Sequence, residues 1–118
     1  MDRKSIILVP LALVAALLFG AFAAASPLGN LTEFSAGLNP GSAPFRIVSG
    51  PDGNLWFTDQ GTTKAIGKVT PDGAISEITL PPTSVPRQIR VGADGNIWFT
   101  DTSPTAPLIG RVNPDGTS

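Results

Sequence analysis

The side chains in this sequence that could do chemistry are mostly carboxylates and guanidinium groups, because the chain contains no His and no Cys. This composition excludes a thiol nucleophile and a zinc site of the usual ligand set. Asp59 and Asp101 each follow a Trp-Phe-Thr sequence, where they could help to hold a divalent cation or contact a polar ligand. The alternative is structural: Asp side chains in turns accept hydrogen bonds from backbone N–H groups.

Arg87 and Arg90 are the second candidate for ligand binding. A guanidinium group donates forked hydrogen bonds, which suit an anionic or carbonyl ligand. Phe45 and Val48 occupy the corresponding positions in an earlier, similar part of the sequence, and such a difference is expected of a site rather than a scaffold. Salt bridges to neighbouring segments are the other interpretation. The balance of 8 basic and 9 acidic residues argues against a nucleic-acid partner.

These candidate residues belong to a unit that occurs twice. Residues 50–59, GPDGNLWFTD, recur as residues 92–101, GADGNIWFTD, at an offset of 42. Residues 66–73, IGKVTPDG, recur as residues 109–116, IGRVNPDG, at an offset of 43. Matches of this length in the same order indicate an internal repeat.

Each unit is predicted to fold as short antiparallel strands joined by tight turns, with nothing helical after the N-terminal segment. Asp-Gly-Asn and Pro-Asp-Gly are hairpin-turn sequences, and they lack the spacing of a calcium loop. The aromatic pairs at 56–57 and 98–99 are predicted to pack between sheets; an exposed stacking platform is the alternative. The predicted strands cover residues 45–49, 55–58, 66–70 and 74–80, then 88–91, 97–100 and 109–113.

A period of about 42–44 residues with four strands per unit is typical of a β-propeller blade. The predicted fold class is therefore all-β, with two four-stranded propeller blades in an incomplete ring, preceded by an N-terminal signal helix. Blade 1 covers residues 44–80, and blade 2 covers residues 81–118 without a fourth strand. Residues 26–43 are a leader in which residues 31–34 match a fourth strand at an offset of 44 and are expected to form an outer latch strand.

Two blades cannot bury both of their faces, since repeat units need neighbours on each side. The expected partners are therefore the remaining blades of the same protein or other copies of this chain. One hypothesis holds that the chain is complete and that three or more copies close one ring.

The repeated pattern Trp-Phe-Thr-Asp followed by Ile-Gly-[Lys/Arg]-Val resembles the streptogramin B lyase (virginiamycin B lyase-like) propellers, which are kin to NHL and gluconolactonase-type propellers. The resemblance covers residues 30–118. It implies a seven-bladed propeller and a founding enzyme that opens a cyclic depsipeptide by elimination, with a His base and Mg²⁺ held by acidic residues. Those residues lie in the family's later blades, and nothing in this chain matches them. The resemblance carries over the fold and not the activity.

The N-terminal segment has the pattern of an export signal. Residues 1–4 are net positive, residues 6–22 are apolar except for Pro10 and Gly20, and Ala23 and Ala25 fit cleavage before Ser26. The sequence therefore predicts a signal peptide at residues 1–25 and a secreted or extracytoplasmic location. The alternative is an uncleaved membrane anchor formed by residues 6–25, which would be the chain's contact with a membrane.

We expect an exported propeller segment without catalytic residues, metal or cofactor of its own. The longer protein would be a Mg²⁺-dependent C–O lyase, or a non-catalytic binding scaffold for a peptide, glycan or cell-wall ligand. Whether the chain takes part in catalysis is left open by the residues, because fold alone does not give function.

Overall fold

The computed structural model describes residues 28–115, and the chain divides into two units, residues 1–33 and 34–118. In the first unit, the described residues 28–33 form no helix or strand, and Leu28 and Leu31 are exposed. The predicted signal helix lies outside the described residues. Within the described range, a search for helices long and apolar enough to cross a membrane finds none.

The second unit is built from seven strands in two antiparallel sheets, which confirms the all-β prediction. Each sheet follows chain order, β1-β2-β3-β4 in the first and β5-β6-β7 in the second. The seven strands predicted between residues 45 and 113 are all present, with boundaries that differ by at most two residues. The strands are β1 (Pro44–Ser49), β2 (Leu55–Asp59), β3 (Ala65–Val69), β4 (Ile75–Thr79), β5 (Pro86–Val91), β6 (Ile97–Asp101) and β7 (Leu108–Val112).

The leader does not contain a strand in this structure, since residues 28–43 include only turns and irregular backbone. A latch strand would pair with a blade other than these two sheets, so the structure does not test it. The strand at residues 31–34 stays a prediction.

The turns that open the second strand of each sheet have the predicted chemistry. Gly53 and Gly95 have φ angles of 80° and 76°, which a residue without a Cβ adopts readily. The turns are closed by backbone hydrogen bonds from Gly50 N–H to Asn54 O, 2.8 Å, and from Gly92 N–H to Asn96 O, 2.9 Å.

Successive side chains of a strand point to opposite faces, so each sheet has one face toward the other sheet and one face away from it. The core lies between the two faces that meet. On β2, Trp56 faces the second sheet, whereas Phe57 faces away from it. The buried cluster between the sheets consists of Trp56, Ile66, Ile89, Ile97, Phe99 and Val112. The packing between sheets predicted for Trp56 and Phe99 is confirmed. Phe57 is buried on the opposite side of the first sheet, and Trp98 is only half-buried on the open face of the second sheet.

Polar contacts fix how the sheets meet. The Thr58 hydroxyl donates to the backbone carbonyl of Arg87 over 3.1 Å, and the Gln60 amide donates to that of Pro86 over 2.7 Å. Both bonds join the end of β2 to the start of β5, so that β5 lies against β1 and β2.

One glycine in the third strand of each sheet makes room for an aromatic ring. In the β2–β3 register Phe57 lies opposite Gly67, and in the β6–β7 register Phe99 lies opposite Gly110. A Cβ atom at either glycine would overlap the phenyl ring. A glycine inside a strand commonly marks such a close approach of a neighbouring group.

We expect Gly67→Ala to destabilise the protein by about 1–3 kcal/mol, as overpacking does, although Ala normally stabilises a strand relative to Gly. Chemical denaturation followed by tryptophan fluorescence measures the change. Phe57→Leu in the Gly67→Ala background removes the ring and should restore part of the loss. Equal stability of Gly67→Ala and the native protein would contradict this account of the glycine.

Candidate functional site

Asp59 is fully buried at the end of β2 and is saturated with hydrogen bonds. Its Oδ1 accepts from Ala43 N–H at 2.8 Å and from Gly61 N–H at 2.7 Å, while its Oδ2 accepts from the Ser42 hydroxyl. Burial works to raise the pKa of Asp59, but these hydrogen bonds outweigh it and hold the pKa below the ordinary value. The carboxylate therefore ties the loop before β1 to the loop after β2.

Asp101 does the same in the second sheet, where it is 4% exposed. Its Oδ1 accepts from Val85 N–H at 2.8 Å and from Ser103 N–H at 2.9 Å. Burial works to raise the pKa of Asp101, but the hydrogen bonds of Val85, Ser84 and Ser103 lower it overall. These are the bonds that the structural interpretation of the two Asp residues predicts. Ligand binding by either carboxylate stays a prediction.

In the first sheet, the Glu77 carboxyl group of β4 also contacts the Asp59 carboxylate. Among the described residues, the second sheet has no equivalent of this contact. Burial, then a hydrogen bond with the Asp59 carboxylate, raise the pKa of Glu77 above its ordinary value. The same contact works to lower the pKa of Asp59. Asn39 N–H donates to Glu77 Oε2 over 2.8 Å, which ties the leader to β4.

The strand between the two acids explains how they meet. Asp59 lies opposite Ala65 in the β2–β3 register, and Glu77 lies opposite Gly67 in the β3–β4 register. Because Ala65 and Gly67 carry small or no side chains on that face, Glu77 reaches across β3. Neither sequence spacing nor a motif pointed to this pair, because 18 residues separate the two acids and the strand register brings them together.

Arg87 and Arg90 are both exposed on β5, and the structure gives them different surroundings. Arg87 Nε donates to the Thr102 hydroxyl over 3.2 Å. Arg90 lines an open groove of about 250 Å³ with Trp98 and Ile109 on the free face of the second sheet. The four predicted site residues therefore do not share one cavity: the two carboxylates are enclosed in loops, while Arg90 borders a groove.

Sequence reasoning missed the role of the turn Asp residues. The Trp56 indole N–H donates to Asp52 over 3.1 Å, and the Trp98 indole N–H donates to Asp94 over 2.9 Å. Hydrogen bonds from Trp98, then from Asn96, lower the pKa of Asp94 to about 2. The available signal was the Asp that precedes Trp by four residues in both units.

The described residues do not fit a divalent cation. Within residues 28–115, no three Asp or Glu side chains lie close enough together to hold one. Asp59 and Asp101 already accept buried N–H donors, which a cation would have to displace.

The repeated sheets, the glycine beneath each Phe and the buried Asp that closes each second strand define a class: repeat proteins built from packed antiparallel β-meanders. The more specific assignment comes from comparison with known families. Residues 21–118 match the virginiamycin B lyase family, and the chain belongs to that family.

Individual relatives match over a shorter segment. Proteins named virginiamycin B lyase from Bordetella parapertussis, Bordetella bronchiseptica and Bordetella pertussis are 47%, 46% and 44% identical to this chain over 52 residues. Each match covers 44% of this chain and 17% of the relative. The chain thus spans far less than two thirds of its relatives' length. A search of solved structures gave no significant match.

We expect Asp101→Ala to cost about 2–5 kcal/mol, because two buried N–H donors lose their acceptor. Asp101→Asn keeps one carbonyl oxygen at that place and should recover part of the loss. Asp72→Ala is the matched control, since this exposed turn residue accepts a side-chain hydrogen bond only from the nearby Thr70 hydroxyl among the described residues and should change stability much less. Thermal unfolding of the three variants gives the comparison. An Asp101→Ala variant as stable as the Asp72→Ala variant would show that the hydrogen bonds do not support the fold.

Glu77 should make stability fall as pH rises. Because its folded-state pKa is raised above the ordinary 4.5, Glu77 stabilises the fold below that value and loses the contribution as pH increases through the folded pKa. Asp59 and Asp101, whose pKa values are lowered, contribute above 3.8 and lose their contribution on acidification.

Glu77→Gln removes the titration and should flatten the alkaline side of the stability profile, measured as free energy of unfolding from pH 3 to pH 8. The acid side, set by Asp59, Asp101 and the turn Asp residues, whose pKa values are all lowered, should stay. If the free energy of unfolding of Glu77→Gln still fell with rising pH as in the native protein, the titrating group would be a residue other than Glu77.

Proposed function

We propose that the chain contributes two neighbouring blades to a β-propeller. The observation that carries the proposal is how the sheets meet: among the described residues, the close backbone contacts between them are those of β5 with β1 and β2. The fourth strand, β4, lies at the far edge of the first sheet. Sheets that approach each other at their first strands and diverge toward their outer strands are arranged as blades around an axis. On this proposal, β1 and β5 border the axis.

The proposed location is outside the cytoplasm. The support is the sequence of residues 1–25, with a basic start, an apolar stretch and small residues before Ser26. Cleavage before Ser26 gives a secreted protein, and retention of residues 6–25 gives a membrane-anchored one. The absence of Cys means that the exported domain is stabilised by packing between sheets and not by disulfides.

For the longer protein, we propose the activity that the names of the relatives state, a lyase acting on virginiamycin B. Such a lyase would open a cyclic depsipeptide by breaking a C–O bond in an elimination, with Mg²⁺ in the family's manner. The support is membership of the family. This chain's own contribution is structural: its blades hold their neighbours in place, and the His base and acidic metal ligands belong to other blades.

The second candidate is a non-catalytic propeller that binds a peptide, glycan or cell-wall ligand. The observation in its favour is the exposure of Arg87 and Arg90 on β5, the strand that borders the proposed axis. Neither guanidinium has a carboxylate partner among the ion pairs found in residues 28–115. Both are therefore able to donate to an anionic or carbonyl group of a ligand.

The first test is to express the reading frame that continues past the Ser118 codon and to incubate the product with virginiamycin B. Elimination leaves the mass of the antibiotic unchanged and shifts its chromatographic retention, whereas hydrolysis adds one water. We expect the isomeric linear product, its loss on chelation by EDTA and its recovery with Mg²⁺. The 118-residue chain alone is the matched control and should give no product.

If the antibiotic binds to the protein but stays cyclic, the result favours the second candidate, a non-catalytic binding propeller. In that case Arg87→Ala and Arg90→Ala should weaken its affinity by about tenfold each, the loss of roughly one charge-assisted hydrogen bond. A stop codon directly after Ser118 would remove the lyase proposal.

A further inference from the structure

Asp-Gly steps stand at the tips of the tight turns, and three of them lie within the described residues: Asp52–Gly53, Asp72–Gly73 and Asp94–Gly95. A fourth, Asp115–Gly116, extends beyond that range. The three Asp side chains are all exposed, and the three glycines have φ angles of 80°, 92° and 76°. Neither backbone conformation nor access of water distinguishes the three steps, so a difference in reactivity must come from what holds each carboxyl group.

An Asp-Gly step rearranges without an enzyme when the Gly backbone nitrogen attacks the side-chain carbonyl carbon of Asp. A C–N bond forms, and the carboxyl hydroxyl leaves as water together with the proton of the nitrogen, which gives a succinimide ring. Water then adds to one of the two ring carbonyl carbons, and the C–N bond at that carbon breaks. Opening at the main-chain carbonyl leaves isoaspartate, whose backbone runs through the side-chain carbon and whose mass equals that of Asp.

The Asp94 carboxylate is held by three N–H donors. It accepts from the Asn96 backbone N–H over 3.1 Å, from the Asn96 side-chain amide over 2.9 Å and from the Trp98 indole N–H over 2.9 Å. Rotation of the carboxyl group toward the Gly95 nitrogen would break these bonds. The turn therefore opposes the first step of the rearrangement.

The Asp52 carboxylate has the same set of donors. It accepts from the Asn54 backbone N–H over 3.2 Å, from the Asn54 side-chain amide over 2.9 Å and from the Trp56 indole N–H over 3.1 Å. We name this arrangement, an Asn two residues after Asp and a Trp four residues after it, the carboxylate clamp. Both units of the repeat have it in the turn that precedes their second strand.

Asp72 lacks the carboxylate clamp. Ala74 and Ser76 stand where the other two turns have Asn and Trp. Among the described residues, the Thr70 hydroxyl is the one side chain that donates to Asp72, and Thr70 Oγ1 itself accepts from Ala74 N–H over 3.0 Å. The β3–β4 turn thus keeps the Asp-Gly step without either side chain that holds the carboxylate elsewhere.

We propose that Asp72–Gly73 is the step at which the folded protein forms isoaspartate, and that the carboxylate clamp protects Asp52 and Asp94 from the same rearrangement. The attacking nitrogens of Gly73 and Gly95 are held alike, since each donates to a turn carbonyl, over 2.9 Å and 3.0 Å. The difference between these two steps therefore lies in the carboxyl groups.

The clamp also reduces the amount of the reactive form, because water leaves from a neutral carboxyl group and not from a carboxylate. Hydrogen bonds from Trp98, then from Asn96, lower the pKa of Asp94 from 3.8 to about 2. Near neutral pH, that difference lowers the neutral fraction by at most about 60-fold. The Thr70 hydroxyl lowers the pKa of Asp72 as well, but through a single side-chain bond.

Isoaspartate at position 72 would lengthen the backbone of the β3–β4 turn by one carbon. Two backbone hydrogen bonds close this turn, from Gly73 N–H to Thr70 O and from Thr70 N–H to Ala74 O, both 2.9 Å. The Phe34 ring lies against Gly73, where an added Cβ atom would overlap it. The rearrangement would therefore loosen the outer hairpin of the first sheet and its contact with the leader.

The test is incubation of the full 118-residue chain near neutral pH, followed by tryptic digestion and mass spectrometry. Trypsin places the three steps in separate peptides, residues 47–64, 69–87 and 91–111. An isoaspartyl peptide keeps its mass, changes its chromatographic retention and resists the endoproteinase Asp-N. We expect isoaspartate to form several-fold faster at Asp72 than at Asp52 or Asp94. The chain unfolded in urea is the control, and it should react at comparable rates at all three steps.

Three variants examine the cause. Trp98→Phe removes the indole donor and should speed the reaction at Asp94 several-fold, while Asp52 in the same molecule stays slow; general unfolding would speed both. Ala74→Asn supplies the missing amide donor and should slow the reaction at Asp72. Asp72→Ala should remove the isomeric form of peptide 69–87, which assigns the signal to that residue.

Equal rates at Asp72 and Asp94 in the native chain, or a faster reaction at Asp94, would overturn the proposal. An unchanged rate at Asp94 in Trp98→Phe would overturn the role of the carboxylate clamp. Each of these outcomes leaves the propeller and lyase proposals standing, because those are tested on the longer gene product.

Discussion

The constraint on which the structure depends is that a small antiparallel sheet with apolar side chains on both faces needs cover on both faces. β2 places Trp56 on one side and Phe57 on the other, and both rings are buried. The second sheet covers Trp56. Phe57 is covered by the loop before β1, and its ring packs over Gly67 of the same sheet. Each sheet is therefore a layer that shares its core with the next layer, and the contact between layers largely determines the fold.

The strands and turns could be predicted from the sequence because their determinants are local. Asp-Gly-Asn fixes a turn through the positive φ of Gly53, and the strand pattern follows from alternation on either side of it. The approach of a ring to Gly67 was also predictable, since a glycine inside a strand commonly marks a close contact. Internal repetition then tested each assignment twice, at two independent places in the chain.

The site residues were less predictable because their surroundings depend on register and on side-chain direction. Arg90 could be compared with Val48 in the sequence, but its groove with Trp98 and Ile109 depends on which face of the second sheet is left uncovered. The hydrogen bond from Trp56 to Asp52 depends on how an indole ring folds back over a turn. The Asp59–Glu77 pair requires β4 to lie in one register on β3, because a shift by one residue would turn Glu77 to the other face.

The contact of Glu77 with Asp59 and with Asn39 affects how the first sheet comes apart. β4 is an edge strand, which usually frays before the rest of a sheet. Here the half-buried Glu77 of β4 accepts a hydrogen bond from Asn39 N–H and contacts Asp59 at the end of β2, so release of the edge strand also frees the leader loop and uncovers Asp59. The release of β4, of the leader loop and of the Glu77–Asp59 contact then occurs as one cooperative event. The cooperative unit of this sheet is thus larger than a strand and includes residues that precede β1.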